Sequence, residues 1–202
     1  MSPTPVIGRF APSPTGDLHF GSLVSALGSY LEARSVGGKW LIRVEDIDPP
    51  REVADSAERI ISDLQSLGMI PDGPVLYQSS RTEAYQAALD QLLDAGEAYS
   101  CGCSRKDLPA SGIYPGTCRN GIPGGKTARS VRFSVPENVR KFTDRLQGEI
   151  IESLTTSCGD FVIQRADGLF AYQLAVVIDD DFSLGVKNSQ IRHAAEFDFV
   201  FL

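Results

Sequence analysis

The sequence predicts an α/β fold built on a parallel, doubly wound sheet. Three observations carry that expectation. From Pro5 to Ala95, short apolar runs alternate with segments of helical periodicity, the rhythm of strand–helix–strand units. A stiff turn, APSPTG, separates the first run from the first helix. With 202 residues, 42% of them hydrophobic and 22% charged, the chain is long and apolar enough to bury a core.

The elements follow in order. Pro5 to Phe10 begins apolar and reads as a buried strand. From Phe20, apolar residues recur at Leu23, Ala26 with Leu27, and Tyr30 with Leu31, the spacing of a helix. Gly37-Gly38 ends it. KWLIRVED, Lys39 to Asp46, reads as a strand, and Pro49-Pro50 breaks the chain after it. Val53 to Leu67 forms an amphipathic helix through Ala57, Ile60, Ile61, Leu64 and Leu67. PVLYQ, Pro74 to Gln78, is a third short strand, and Arg81 to Ala95 a third helix.

The rhythm then breaks. Ala98 to Ser130 is rich in Gly, Pro and Ser without a period, and so long a loop needs something to order it. SVRFSV, KFTDRLQGEII and DFVIQRADG look like strands of an inserted segment. LFAYQLAVVIDD, Leu169 to Asp180, returns to apolar density and is expected to re-enter the main sheet. The expected divisions are 1–100, the first half of a nucleotide-binding fold; 101–158, a β-rich insertion; 159–181, the start of the second half; and 182–202, a divergent tail.

The net charge is −7. An acidic chain meets nucleic acid only through a local basic patch, against long-range repulsion, but nothing in that balance opposes a small phosphate ligand. MSPTPVIGRF lacks a basic region followed by an apolar core, so no signal peptide is expected. The longest apolar run, Leu174 to Ile178, is too short to span a bilayer. A cytoplasmic monomer is the expectation.

GRFAPSPTGDLHFGSL, Gly8 to Leu23, places a tight turn between a strand and a helix start, where α/β folds bind nucleotides. The helix start offers unpaired N–H groups and a positive dipole end. Gly16 and Gly21 leave room for a ligand, and His19 can donate to a phosphate without a permanent charge. His19, Gly21 and Ser22 are therefore the candidate catalytic residues. The competing reading is a stiff loop with His19 as a solvated cap.

That stretch resembles the opening of class I glutamyl-tRNA synthetases, with HFGS, His19 to Ser22, in the place of their His-x-Gly-His box. IRVEDIDPPRE, Ile42 to Glu52, is similar too. HFGSL, EDIDPPRE and DGLFAYQLAVVIDD resemble more closely the branch that lacks an anticodon-binding domain and glutamylates queuosine in tRNA(Asp). The resemblance covers Ile7 to Asp180. It implies a Rossmann-like catalytic domain with a zinc-binding insertion. It also implies activation of L-glutamate by ATP with Mg2+, and transfer to queuosine in the anticodon of tRNA(Asp). Arg9, Phe10, Ala11, Pro12, Ser13, Glu45 and Tyr172 would contact glutamate. Arg9 suits a carboxylate, Glu45 an ammonium group, and His19 the charge developing on phosphate. Taken singly, Arg9 and Glu45 also read as an ion pair between strands, and Tyr172 as a core aromatic.

Of four cysteines, Cys101, Cys103 and Cys118 cluster in the periodless loop, while Cys158 stands apart as an ordinary thiol. Without a secretory signal, clustered thiols point to metal rather than disulfides. Structural Zn2+ wants four ligands, and the residue types alone leave the fourth open, as they leave open three unrelated reduced thiols. The resembling branch has a tyrosine in a Cys-x-Cys…Tyr-x-x-x-Cys pattern, which implies Tyr114 as the fourth.

After Asp180 the resemblance continues through Gly185-Val186 and is then lost. The family's Lys-rich second signature has no counterpart: Lys187 is the only lysine after Lys141, and VKNSQ is not that motif. Arg192 falls one position from a family arginine of the glutamate site and takes no role from it. The expectation is a truncated chain, as a shifted reading frame with early termination would leave, adenylating weakly or not at all. A fragment of a conventional glutamyl-tRNA synthetase and a non-catalytic zinc-binding remnant are the alternatives. A small nucleotidyltransferase with a similar box is a more distant one.

Overall fold

The computed structural model of the protein describes residues 6–137, 139–144 and 147–184. The expected tail features at Gly185, Val186, Lys187 and Arg192 lie outside the described residues. The chain divides into two compact units, residues 1–82 and 83–202.

The first unit holds β1 (Ile7–Phe10), α1 (Phe20–Ser35), β2 (Lys39–Val44), α2 (Ser56–Ser66) and β3 (Leu76–Tyr77). The three strands pair in the order β1-β2-β3, both pairs parallel. Parallel neighbours need crossover connections, which α1 and α2 supply, so the expected α/β architecture is present. The core gathers Phe10 and Ile42 from the sheet with Ala26 and Ala33 of α1, Ile60 and Leu64 of α2, Trp40 and Met69. Ala26 and Ala33 are wholly buried; their small side chains let α1 lie close on the strands. Leu23 and Tyr30 pack beside that core. The remaining apolar residues of α1, Phe20, Val24, Leu27 and Leu31, are exposed and spaced as one row along the helix.

Trp40 is fully buried on β2. Its indole N–H donates to Ser29 Oγ at 2.9 Å, and its ring meets Tyr30 edge-on with centroids 5.2 Å apart. The Trp40 backbone N–H and Arg34 Nη1 both donate to Asp72 Oδ2, each at 2.7 Å. The Trp40 N–H, and after it the Arg34 guanidinium, hold the Asp72 carboxyl below its usual range. Helix α2 starts at Ser56 rather than Val53, because Asp55 just before it takes a left-handed backbone, φ 59°, that interrupts helical geometry.

From the boundary onward come α3 (Thr82–Asp94), β4 (Ala98–Cys101), β5 (Ser130–Phe133), β6 (Val139–Asp144), β7 (Gly148–Ser153), α4 (Leu154–Ser157), β8 (Val162–Gln164) and α5 (Tyr172–Leu184). β4, β5 and β8 form an antiparallel sheet in that order, and β6 with β7 a separate hairpin. Three expectations are corrected. A strand, β4, opens the stretch read as periodless. KFTDRLQGEII is not one strand but the two arms of the hairpin, turning before Gly148. Tyr172 to Asp180 does not re-enter a sheet; it is helical. A five-residue apolar run does not discriminate strand from helix. The helix places Ala175 and Asp179 one turn apart, both buried, and the Asp179 carboxylate accepts from the Tyr85 hydroxyl at 2.6 Å. Among the described residues, no helix is long and apolar enough to cross a membrane.

The depressed Asp72 carboxyl gives a pH test. Its contribution is present above the unfolded-state value, about 3.9, and is lost as pH falls through the lower folded value. Asp72→Asn is expected to lower the urea midpoint at pH 7, with the difference from wild type vanishing in strong acid. The emission of Trp40, the one tryptophan, reads both chains.

Candidate functional site

The loop between β1 and α1 is tied down at three points by backbone and hydroxyl groups distant in sequence. The Pro12 carbonyl accepts from the Glu45 N–H at 2.9 Å, just past the end of β2, and the Pro14 carbonyl from the Val53 N–H. The wholly buried Ser56 hydroxyl donates to the Gly16 carbonyl at 2.6 Å and accepts from the Gly16 N–H at 3.2 Å. Proline fixes φ and cannot donate, so Pro12 and Pro14 leave carbonyls as the loop's anchoring groups. Arg9 and Phe10 lie on β1, with Arg9 opposite Leu41 of β2. Ala11, Pro12 and Ser13 follow in the anchored loop.

His19 caps α1. Its Nδ1 accepts from the Ser22 N–H at 3.2 Å. In the neutral ring, that acceptor role puts the proton on Nε2, which lies 3.0 Å from Ser22 Oγ and donates to it. A Cβ on Gly21 would stand 3.1 Å from His19 Cε1 and 3.2 Å from Nδ1; glycine there lets the imidazole fold back over the helix start. His19, Gly21 and Ser22 thus form one local arrangement, with the ring over the first turn.

Glu45 is buried, and its Oε1 accepts from Arg43 Nη2 at 3.0 Å. Residues two apart along an extended chain share a face, so Arg43 on β2 and Glu45 just past its end can pair directly. Asp46 accepts from the Ser79 N–H at 2.8 Å and from its hydroxyl at 2.5 Å. Burial first, and then the nearby Asp46 and Asp48 charges, push the Glu52 carboxyl up.

In the second unit the sulfurs of Cys101, Cys103 and Cys118 lie within 4.8 Å of one another, all buried. Cys103 Sγ and Cys118 Sγ are 3.7 Å apart. The Tyr114 hydroxyl stands 3.4 Å from Cys101 Sγ, 3.5 Å from Cys103 Sγ and accepts from the Cys118 N–H at 3.0 Å. Four tetrahedral ligands, with metal–sulfur bonds of about 2.3 Å and a metal–oxygen bond of about 2.0 Å, put sulfurs about 3.8 Å apart and the oxygen about 3.5 Å from each. The Cys103–Cys118 separation and the Tyr114 distances match that geometry, so the three sulfurs and the phenol oxygen could hold one ion. A Cβ on Gly102 would meet the Thr127 carbonyl oxygen at 2.9 Å and Lys126 Cβ at 3.0 Å, so only glycine allows the Cys-x-Cys turn to press against residues 122–127. Burial pushes the Cys101 thiol up, but hydrogen bonds from the Tyr114 hydroxyl, the Cys103 N–H and Arg132 outweigh it and set the thiol below its ordinary value. Burial pushes the Cys103 thiol and the Tyr114 phenol up.

Residues 5–111 match the family described as tRNA synthetases class I (E and Q), catalytic domain. The chain belongs to the class I glutamyl- and glutaminyl-tRNA synthetase family. It is 55% identical over 186 residues to the glutamyl-Q tRNA(Asp) synthetase of Dechloromonas aromatica, covering 88% of this chain and 62% of that protein. With the protein of the same name from Chromobacterium violaceum it is 54% identical over 180 residues, 86% of this chain and 60% of the other. Among solved structures, it is similar to a glutamate tRNA ligase from Elizabethkingia meningosepticum in complex with its amino acid. That match has a TM-score of 0.74 and 31% identity, over 87% of this chain and 41% of the other. The chain thus spans about 60% of the length of its curated synthetase relatives.

Within the first unit, the anchored loop brings Pro12 to Glu45 and leads from Arg9 and Phe10 to His19, Gly21 and Ser22. Cys101, Cys103, Cys118 and Tyr114 converge in the second unit. Tyr172 opens α5 there and is 46% exposed. Cys158 takes another course: its thiol donates to the Leu154 carbonyl at 3.4 Å. Sequence reasoning missed Arg43, Ser56 and Arg132. Alternation along β2 could have signalled Arg43. Ser56 acts across 40 residues, and no local pattern announces it.

Ser56→Ala leaves both Gly16 backbone groups without their hydroxyl partner. Loss of about 1–3 kcal/mol of stability is expected, measured by urea denaturation followed through Trp40 emission.

Proposed function

We propose that this chain carries the glutamate-activating site of a glutamyl-queuosine tRNA(Asp) synthetase. The observation that carries the reading is the 54–55% identity to glutamyl-Q tRNA(Asp) synthetases across more than four-fifths of the chain. The solved glutamate tRNA ligase, at 31%, supports the wider chemistry and keeps a conventional glutamyl-tRNA synthetase as the second reading.

In the first step a carboxylate oxygen of glutamate attacks the α-phosphorus of ATP. The bond to the bridging oxygen breaks, and glutamyl-adenylate and pyrophosphate form. In the second, a nucleophilic oxygen of queuosine attacks the acyl carbon and AMP leaves. Arg9 would hold the side-chain carboxylate of the substrate by paired hydrogen bonds. Glu45, oriented by Arg43, would accept from the substrate ammonium. The loop Ala11, Pro12, Ser13 would line the glutamate subsite, and by the resemblance Tyr172 would be a further glutamate contact. His19 Nε2–H would turn from Ser22 Oγ to the phosphate, stabilising charge through position rather than proton transfer. Mg2+ bound with ATP would neutralise phosphate charge. A protein acting on these substrates would work in the cytoplasm.

We assign structural Zn2+ to Cys101, Cys103, Cys118 and Tyr114, on the convergence of the three sulfurs and the phenol oxygen. The residues would tie the segment between β4 and β5 into a fixed shape, since that stretch has little core of its own. One Zn2+ per chain is expected by metal analysis. Chelation is expected to expose Arg105, Lys106, Arg119 and Lys126 to trypsin, with Zn2+ restoring protection; a segment cut equally in both states counts against the assignment.

For the substrate, a stable glutamyl-adenylate analogue is expected to raise the melting temperature of the wild-type chain, and Arg9→Ala and Glu45→Gln to abolish the rise. Absence of any shift in a folded, zinc-loaded chain would favour a non-catalytic remnant. Glutamate-dependent ATP–pyrophosphate exchange without tRNA separates the two synthetase readings, because conventional glutamyl-tRNA synthetases require tRNA for that step.

A further inference from the structure

We infer that Arg132 is an outer-sphere positioning residue of the metal site, holding Cys101 and the Tyr114 ring in ligating position and supplying the cluster's counter-charge. The inference rests on the metal assignment above. Arg132 lies on β5 opposite Tyr99 of β4, and Tyr99 and Cys101 share a face of that strand. The register of β5 with β8 shifts between Val131 and Arg132, a bulge of the kind that re-aims a side chain. The guanidinium is then fixed on three sides. Nε donates to Cys101 Sγ at 3.4 Å, Nη1 donates to the Asp160 carbonyl at 2.7 Å, and the guanidinium carbon stands 3.9 Å from the centroid of the Tyr114 ring.

The residue is only 7% exposed, and a buried cation needs an anion. Among the described residues, Arg132 forms no salt bridge with a carboxylate; the Asp160 carboxylate is bonded by Arg119 Nε at 2.9 Å and Nη2 at 2.5 Å. The charge of Arg132 faces a sulfur and an aromatic ring instead. Three thiolates around a divalent ion leave an excess negative charge, and a tyrosinate adds to it, so the cluster supplies the anion that Arg132 lacks. Lys126 also stands 4.0 Å from Cys103 Sγ, but it is bound to Asp107 at 2.6 Å. Arg132 also touches two ligands at once, and its planar group can stack on the phenol while donating to sulfur. Partners of this kind orient metal ligands, and losing one costs about 10- to 100-fold in metal affinity.

The test uses the 202-residue chain and Co2+ as probe, with affinity read by chelator competition and ligand geometry by the thiolate-to-Co2+ and d–d absorption. Arg132→Gln is expected to weaken Co2+ binding about 10- to 100-fold and to alter the d–d bands. Arg132→Lys keeps the charge but not the fork; partial recovery of affinity is expected, with the bands still altered. Wild-type affinity and spectrum in both variants would overturn this inference alone. A wild-type chain that takes up no Co2+ would overturn the metal assignment and this inference together. Far-UV dichroism in metal-saturating buffer checks the fold, and collapse of both variants there would assign Arg132 to the fold rather than the metal, overturning the inference as well.

Discussion

A buried carboxylate must be fully partnered or it is not ionised, and Asp160 organises the second unit by meeting that demand. Its oxygens accept from Arg119, from the Tyr99 hydroxyl and from the Val135 N–H. Burial pushes the acid up, yet these donors outweigh it and keep the carboxyl below its ordinary value. Burial first, and then the same donation to Asp160, drives the Tyr99 phenol up. Tyr99 belongs to β4, Arg119 to the loop just after Cys118, and Val135 to the chain leaving β5, so one side chain joins three separate stretches. The Asp160 backbone carbonyl then holds Arg132, which reaches Cys101. Cluster and sheet are one hydrogen-bonded system, and networks of this kind are worth more intact than the sum of their pairs.

The first unit meets a different requirement by similar means. A loop that leads into a helix start and leaves its N–H groups accessible must be rigid without covering them. Proline carbonyls and a single serine hydroxyl provide that rigidity from behind, through groups at Glu45, Val53 and Ser56. The acidic segment after β2 serves two roles as a result. Its backbone anchors the loop, while Glu45 turns its side chain to Arg43 and Asp46 turns to Ser79.

Much of this was legible in the residues. The alternation from β1 to α3 could be read because apolar periodicity and glycine stops agree at each element, and the cysteine spacing marked the cluster before its geometry was seen. Family membership was legible in GRFAPSPTGDLHFGSL and IRVEDIDPPRE. What escaped depends on contacts far apart in the chain. The helical state of Tyr172–Leu184 is set by burial of Ala175 and by the bond of Asp179 to Tyr85, 94 residues away. Arg132 and Asp160, separated by 28 residues, look like ordinary charged residues of strands and turns. On α1, the sequence shows apolar positions all round, and only packing sorts Ala26 and Ala33 inward from Phe20 and Leu27.

That outward row on α1 bears on how the protein behaves in bulk. Phe20, Val24, Leu27 and Leu31 offer water a strip of hydrocarbon, while a net charge of −7 keeps copies apart by mutual repulsion. Added salt shortens the reach of the repulsion and leaves the strip untouched. Colloidal stability is therefore greatest in dilute electrolyte, the reverse of a protein whose copies attract through complementary charge.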